Sequence, residues 1–281
     1  MSGMIRHSTA KEVFEPRESV LARGFIAKDY SIAMHDHDFY EINIVLCGRG
    51  VHIVGDKDIP ASAGDVFVIP PSVVHGYRCD GTGFDVYHLI VKEEFISKYS
   101  DELSGFSGFR RIFEVEPYLR ERSGRAYLHI DREAMDFLSG CIGLLSSLAG
   151  DGSCEADTLR SSLALTVIGY ISRQVGKGAP SASHDRDVEA MAEVLDFIDG
   201  NLSERITVEM LSARANMSRA TFMRRFISVC GMPPHAYITE RRVAEARRLI
   251  SHGSTVTDAA AECGFYDASH LLKMMKRDCR L

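Results

Sequence analysis

Three histidines and one glutamate near the start of the chain have the residue types and spacing of a metal-ligand set. His35 and His37 stand two positions apart, Glu41 follows after three residues, and His75 comes later. Because alternate residues of a strand share one face, His35 and His37 can point to the same side. Three imidazoles and a carboxylate suit zinc or a divalent first-row transition metal. The same four side chains can instead line a polar ligand pocket, so both roles stay open.

A second set of functional residues is basic and lies in two similar segments near the end of the chain. Residues 207–226 and 255–275 each predict two short helices joined by a tight turn, about 48 positions apart. Thr207 and Thr255 are candidate N-caps, and Asn216 and Gly264 can adopt the positive φ that such a turn requires. A plain helical bundle would not explain the repeat, which instead suits two helices laid into successive major grooves of DNA.

The charge distribution supports a nucleic-acid-binding segment. From residue 214 onward there are 12 Lys and Arg against 6 Asp and Glu, a net charge of +6. Since the whole chain carries −6, residues 1–213 carry −12. A basic C-terminal segment beside an acidic one is the charge pattern expected of a DNA-binding domain attached to another domain.

These segments resemble the DNA-binding domain of AraC/XylS transcription regulators, over about residues 187–278. Gly231, Pro234, Tyr237 and Val243 match the family's linker region and predict a helix over about 234–251 between the two units. Met275 stands where the family usually has Phe, and Arg280 stands where it has Gly. The family's usual closing helix would lie beyond Leu281, which indicates either a truncated chain or a weakly finished second helix-turn-helix. The resemblance and the outward helix positions together nominate ten DNA-binding residues: Arg219, Ala220, Met223, Arg224, Arg225, Ala268, Ser269, Lys273, Lys276 and Arg277. Within this set the family pattern implies base contacts by Ala220, Met223 and Arg224. The matching positions of the second helix-turn-helix, Ala268, Ser269 and Lys273, are small or singly charged, so phosphate contacts by Lys273, Lys276 and Arg277 are expected there.

The strand and turn pattern of the N-terminal part of the chain predicts a small β-sandwich or jelly roll. Strands are expected at 41–46, 51–54, 66–70 and 84–91, and turns at 48–50, 55–56, 63–65 and 80–83. Together with Gly48, Gly64 and Pro70, the His and Glu set resembles the two-part cupin motif. In metal-binding cupins these residues converge inside the barrel, whereas in AraC-type sensor domains they often line the ligand pocket without a metal.

Two amphipathic helices are expected after the barrel. One begins near Asp131 and carries Leu138, Ile142, Leu145 and Leu148; the other covers 157–173 and carries Leu159, Leu163, Val167 and Ile171. Both apolar stripes could pack against the barrel or, by resemblance, pair two protomers, and the two roles are compatible.

The predicted fold class is therefore α+β, with two domains. Residues 1–175 form a cupin-like sensing and dimerisation domain, with the barrel at about 20–93 and helices at about 94–175. Residues 176–185 form a linker of flexible composition. Residues 186–281 form an all-α DNA-binding domain whose tandem helix-turn-helix units cover about 207–227 and 255–277.

Composition predicts a cytoplasmic protein. The first residues lack the apolar stretch of a secretion signal, and no apolar run reaches 18 residues, so neither export nor a membrane partner is expected. The seven cysteines are scattered without a C-x-x-C pair, as in reduced cytosolic proteins.

The functional prediction is a sequence-specific transcription regulator, an activator, controlled by a small molecule such as a carbohydrate in the cupin-like domain. Its expected partners are promoter DNA, RNA polymerase and a second copy of the chain. No enzyme activity is expected, and no cofactor other than a divalent transition metal at His35, His37, Glu41 and His75. The alternatives are a cupin-type metalloenzyme, and a constitutive DNA-binding protein whose cupin only dimerises.

Overall fold

The computed structural model describes residues 6–15, 18–27, 31–106, 108–120, 126–175 and 183–278, without the side chains of 24–27, 80–82, 183–185 and 277–278. The chain divides into two compact units, Met1–Asp185 and Arg186–Leu281. Most of the predicted linker, residues 176–182, lies outside the described residues. Among the described helices, none has both the length and the apolar character needed to cross a bilayer.

In the described residues, the first unit is built on one curled sheet of eight strands. The strands are β1 Arg6–Ser8, β2 Val20–Ala27, β3 Ile32–His37, β4 Tyr40–Val54, β5 Lys57–Ser62, β6 Asp65–Ile69, β7 His75–Val91 and β8 Leu128–His129. The long strands β4 and β7 pair antiparallel along their lengths. Strand β7 pairs with β3 near its start and with β2 near its end, while β4 pairs with β6 and then β5. The predicted α+β class is confirmed.

The strand boundaries differ from the prediction at two glycine-containing segments. Residues 48–50 and 80–83 were expected to reverse the chain, but β4 and β7 continue through both and the pairing only shifts register. Gly48 has a φ of +82°, and a Cβ there would lie 1.9 Å from the carbonyl oxygen of Gly83. The glycine therefore permits a bulge that bends both strands without breaking the ladder, which curls the sheet.

The two faces of the sheet are chemically different because side chains alternate along each strand. One face packs against helices through an apolar core that includes Ile42, Ile44, Tyr87 and Leu89. The other face is the concave interior of the curled sheet, and it carries the polar residues described below. The helices of this unit are α1 Ala10–Val13, α2 Glu93–Lys98, α3 Ser100–Ser104, α4 Glu116–Leu119, α5 Arg132–Ser147 and α6 Cys154–Gln174, with a π-helical turn at Arg110–Val115.

The two predicted apolar stripes do not behave alike. On α5, Leu138, Ile142 and Leu145 are all buried against the sheet. On α6, Val167 is buried, but Leu159 is 53% exposed. Each step of four residues rotates a position by about 40° around a helix of 3.6 residues per turn. A stripe spaced by fours therefore drifts off the core-facing side, and its first member ends on the outer surface.

The second unit consists of six helices in the described part of the chain: α7 Ser183–Gly200, α8 Val208–Arg214, α9 Arg219–Cys230, α10 Pro234–Ser251, α11 Val256–Glu262 and α12 Ala268–Asp278. The predicted caps are confirmed, since Thr207 accepts the amide of Met210 and Thr255 accepts that of Asp258. The predicted turns are confirmed as well, with φ of +51° at Asn216 and +69° at Gly264.

Candidate functional site

The concave face of the sheet brings the predicted His and Glu residues together. His35 and His37 come from β3, Glu41 from β4, and His75 from the start of β7. A carboxylate oxygen of Glu41 lies 3.1 Å from Nε2 of His75 and 3.9 Å from Nε2 of His37. The rings of His35 and His75 have centroids 4.4 Å apart. Potential ligand atoms of His35, Glu41 and His75 all lie within 4.8 Å of one another.

Backbone carbonyls determine which nitrogen of each ring faces the cluster. Nδ1 of His35 donates to the carbonyl oxygen of Ala33 at 3.0 Å. In the same way, Nδ1 of His37 donates to the carbonyl oxygen of Phe39 at 2.7 Å, and Nδ1 of His75 donates to that of Val73 at 3.1 Å. A neutral ring that donates through Nδ1 keeps a lone pair on Nε2. Nε2 of His37 is buried and has no hydrogen-bond partner in the described part of the chain. Nε2 of His75 and a carboxylate oxygen of Glu41 lie 3.1 Å apart. Because both atoms carry lone pairs, a contact this short requires a proton or a cation between them.

The electrostatics favour an ionised Glu41 carboxylate and neutral rings at His35 and His37. Burial opposes the charge of Glu41, but the field and hydrogen bonds of His88 and His75 outweigh it and hold the pKa of Glu41 well below its usual value. Burial lowers the pKa of His37 to about 4 and also lowers that of His35. Since cations bind carboxylates and neutral imidazoles, these are the protonation states that a metal or a hydrogen-bonding ligand needs.

Three further members of the cluster were missed by the sequence reasoning. Nδ1 of His88 lies 3.2 Å from Glu41, and the side-chain amide of Asn43 donates to Glu41 at 3.2 Å and to the Tyr77 hydroxyl at 2.8 Å. Asn43 and His88 are direct partners in the β4–β7 ladder. The alternation of polar and apolar residues at 41–44 and 87–89 could have indicated that Asn43 and His88 face the same side as Glu41. That these two residues lie opposite each other depends on the long-range register between β4 and β7.

Part of the cluster, His35, His37, Glu41 and His88, forms the polar floor of a cavity of about 350 Å³. The lining includes three imidazoles and the Glu41 carboxylate from the floor, together with two arginine side chains: His35, His37, Glu41, His88, Arg6 and Arg23. This volume lies within the range of small-molecule sites, roughly 300–1,000 Å³. The arrangement can hydrogen-bond several oxygen atoms of a polar ligand.

In the second unit, α9 has the surface expected of a recognition helix. Arg219, Ala220 and Arg224 are exposed and Met223 is half-buried, while Phe222 and Phe226 are buried on the opposite face. Arg219 forms an exposed ion pair of 2.6 Å with Glu209.

Arg225 differs from its neighbours on α9. It pairs with Asp187 of α7 at 2.5 Å, and both side chains are mostly buried. We therefore assign Arg225 to the attachment of α7, since a contact with DNA would have to break that pair.

In the second helix-turn-helix, the helix that corresponds to α9 is α12. Ser269, Lys273 and Lys276 are exposed and Ala268 is half-buried, whereas the side chain of Arg277 lies outside the described residues. Sequence reasoning did not identify Tyr266, which is 93% exposed directly before the helix cap Asp267. An aromatic residue so exposed beside a recognition helix is a further candidate for contact with DNA.

Arg242 of α10 joins the linker helix to both helix pairs. Its guanidinium donates to the carbonyls of Gly264 at 3.1 Å and Glu204 at 2.6 Å. A Cβ at Gly264 would lie 2.6 Å from the carbonyl oxygen of Leu202, so this close approach requires glycine. These contacts hold the turn of the second pair against the segment that precedes the first.

Comparisons with known proteins identify both units. The family model of the AraC-like ligand binding domain matches residues 21–166, more than half of the chain, and that of a helix-turn-helix domain matches 211–280. The HTH-type transcriptional activator RhaS of Pectobacterium carotovorum is 25% identical over 244 residues, covering 86% of this chain and 83% of its own.

Two solved structures are also similar in part. The DNA-binding domain of AdpA, a global transcriptional factor solved with a target DNA, is 38% identical over 31% of this chain and 80% of its own, with a TM-score of 0.30. ToxT from Vibrio cholerae is 11% identical over 92% and 94% of the two chains, with a TM-score of 0.35. On the strength of the family-model matches, the chain belongs to the AraC/XylS family of transcription regulators.

Proposed function

We propose that this protein is a sequence-specific activator of transcription whose DNA binding is controlled by a small molecule in the histidine-lined cavity. The observation that carries this proposal is the pairing of a polar cavity in one unit with two exposed recognition helices in the other. The RhaS relatives are named as transcriptional activators, which supports activation and contact with RNA polymerase. We also propose that the protein acts in the cytoplasm, where promoter DNA would be its target, and that its role is regulatory rather than catalytic.

The proposal is tested by mobility shifts of the full-length protein on genomic promoter fragments, with and without candidate sugars. A fragment bound selectively over competitor DNA, with an affinity changed by one sugar, is the expected result. Selective binding that no small molecule changes would instead support the constitutive alternative, and failure to select any fragment would contradict the proposal.

The two recognition helices have different surfaces, from which we infer different roles in DNA binding. Helix α10 has 18 residues and therefore spans roughly 27 Å, a length suited to hold two helices about one DNA turn, ~34 Å, apart. Helix α9 presents Arg224, which can donate two hydrogen bonds to guanine. Helix α12 presents Lys273 and Lys276, which act as point charges toward phosphates.

Lys276→Ala is expected to weaken binding equally on all operator variants and to lower the slope of log K against log salt by about 1. The reason is that one phosphate contact releases about one counterion. Titrations at several salt concentrations measure the slope, with exposed Lys57→Ala in the other unit as the control. Base-selective loss would assign Lys276 to direct readout instead.

We propose that the histidine cluster lines the effector pocket and that its donor set also binds a divalent transition metal. The fit rests on the buried Nε2 of His37, which no described residue hydrogen-bonds, and on the Nε2 atoms that face Glu41. His35, His37, Glu41 and His75 would hold the ion, and hydrogen bonds from Nδ1 to carbonyls would orient the rings. When bound, the ion would supply coordination positions for oxygen atoms of an effector.

Metal-stripped protein that is loaded with Zn²⁺ or Ni²⁺ and then desalted is expected to retain one equivalent per chain. His75→Ala should retain less than a tenth of this, because it removes a ligand from the buried set. Elemental analysis measures the content, with exposed His129→Ala as the matched control. Substoichiometric metal in the wild type would leave these side chains with the pocket-lining role alone.

We also propose that the protein is a homodimer joined through the outer face of α5 and α6. Phe137 and Leu144 on α5 and Leu159 on α6 are 42%, 58% and 53% exposed. No charged residue interrupts 137–148 or 161–172. An exposed uncharged face with large apolar side chains is typical of an interaction surface.

The double variant Leu144→Glu/Leu159→Glu is expected to be monomeric, because it places two charges on each copy of this face. Light scattering measures the molar mass, and Ser104→Glu, an exposed position of α3 outside this face, is the control. A folded double variant with unchanged dimeric mass would place the interface elsewhere. Leu163, half-buried against the core, is a poorer probe because its substitution also disturbs packing.

A further inference from the structure

Two arginines line the same cavity as the histidine cluster. Arg6 lies on β1 and is the register partner of His35, which is in turn the partner of His75. Arg23 lies on β2 and is the partner of His88, which pairs with Asn43. Because directly opposed residues of neighbouring strands project to one face, Arg23 extends the polar row of the cavity floor. Both arginines are among the residues that line the cavity.

Both arginines are solvent-accessible, and in the described part of the chain neither of them forms an ion pair. The nearby acidic groups have other partners. Glu12 accepts a hydrogen bond from the Thr9 amide at 2.9 Å. Hydrogen bonds from Thr9 are the main cause that lowers the pKa of Glu12, and the charge of Arg6 lowers it to a lesser degree. Asp36 pairs with His7 at 2.7 Å. The two guanidiniums therefore keep their donors available on a concave surface.

We propose that the effector is a small sugar derivative that carries an oxyanion, either a carboxylate or a phosphate, bound by Arg6 and Arg23. This inference rests on the proposed function of the cavity. The planar guanidinium fork matches both oxyanions with paired, charge-assisted hydrogen bonds. Glu41 and the imidazoles on the floor remain to bind hydroxyl groups. A neutral sugar could hydrogen-bond Glu41 and the imidazoles but would leave the guanidiniums of Arg6 and Arg23 without an anionic partner.

The cavity size and charge fit this class of ligand. A volume of about 350 Å³ lies near the lower end of ligand sites, as expected for a molecule of the size of one sugar ring. The carboxylate of Glu41 is buried and surrounded by imidazoles, whereas the guanidiniums are solvent-accessible. The ligand's anionic group therefore lies with the arginines and its hydroxyl groups lie with the floor.

Calorimetric titration of the full-length protein with matched trios tests the proposal. The trios are glucose, glucuronate and glucose 6-phosphate, and galactose, galacturonate and galactose 1-phosphate. At least one anionic member should bind ten times more tightly than its neutral parent. The double variant Arg6→Gln/Arg23→Gln should lose about tenfold or more of that affinity, while Arg49→Gln, an exposed arginine outside the cavity, should keep it. Tighter uronate binding would identify a carboxylate ligand, and tighter phosphate binding a phosphorylated one.

Three results would overturn the inference: neutral parents that bind as tightly as their anions, anion binding that survives in the double variant, or no binding by any anion. Mobility shifts on the same preparations separate this failure from failure of the proposed function. Regulation of DNA binding by a neutral sugar would sink the inference and keep the proposed function. Arginine-dependent anion binding that leaves DNA affinity unchanged would support the inference and count against ligand control.

Discussion

Arg224→Ala is expected to weaken binding to the best operator by roughly 1–3 kcal/mol, or about 5- to 150-fold, and to relax selectivity at one base pair. Arg224 is exposed on α9, the side opposite the buried Phe222 and Phe226. Its guanidinium can donate two hydrogen bonds to the O6 and N7 atoms of guanine, which no other base pair offers in this form. Affinities for an operator series with single base changes measure both effects.

Arg224→Lys is the informative companion variant. It keeps the positive charge and loses the planar fork, so it should recover affinity on random DNA without recovering selectivity. If Arg224→Ala instead loses the same factor on every operator variant, Arg224 contacts a phosphate and does not read a base.

Glu41→Ala is expected to destabilise the sensor unit by about 3–5 kcal/mol, the typical cost of removing one partner from a buried charged network. The carboxylate is 7% exposed and interacts with His75, His88 and Asn43. Without it, these polar groups stay buried and lose a common acceptor. Denaturant unfolding of the full chain, followed by circular dichroism, measures the change.

Glu94→Ala, an exposed glutamate of the same unit, serves as the control and should change stability by less than about 0.5 kcal/mol. Glu41→Gln keeps the shape and should recover part of the loss. A loss below about 1 kcal/mol in Glu41→Ala would show that the cluster does not depend on this carboxylate.

The DNA-binding unit could be predicted in detail because its signals are local. The Thr207 and Thr255 caps, the positive φ at Asn216 and Gly264, and the 18-residue helix that begins at Pro234 each depend on residues within a few positions. Arg225 is the exception. The sequence places it among the outward positions of α9, but its guanidinium pairs with Asp187, which lies 38 residues earlier on α7. The sequence reasoning had not described that helix.

The sensor unit was less predictable because its site is assembled by long-range pairing. His35, His37, Glu41 and His75 follow a motif and were found, whereas His88 joins them only through the β4–β7 register. The sequence predicts a turn at Gly48, but the structure has a β-bulge there. A glycine with positive φ is typical of both, so the residue type alone does not separate them. The spacing groups Leu159 with Leu163, Val167 and Ile171 on one apolar stripe, but spacing by fours drifts around the helix, so Leu159 lies on the outer surface.

We propose that α9 and α12 lie in two successive major grooves of a promoter, with base contacts from α9 and phosphate contacts from α12. Hydroxyl-radical footprinting of the full-length protein on its best genomic fragment tests this most directly. We expect, for each protomer, two protected segments about one helical turn apart, roughly 10–10.5 base pairs. Arg224→Ala should weaken the segment under α9 more than the segment under α12. One protected segment per protomer, or protection that does not depend on sequence, would contradict the claim.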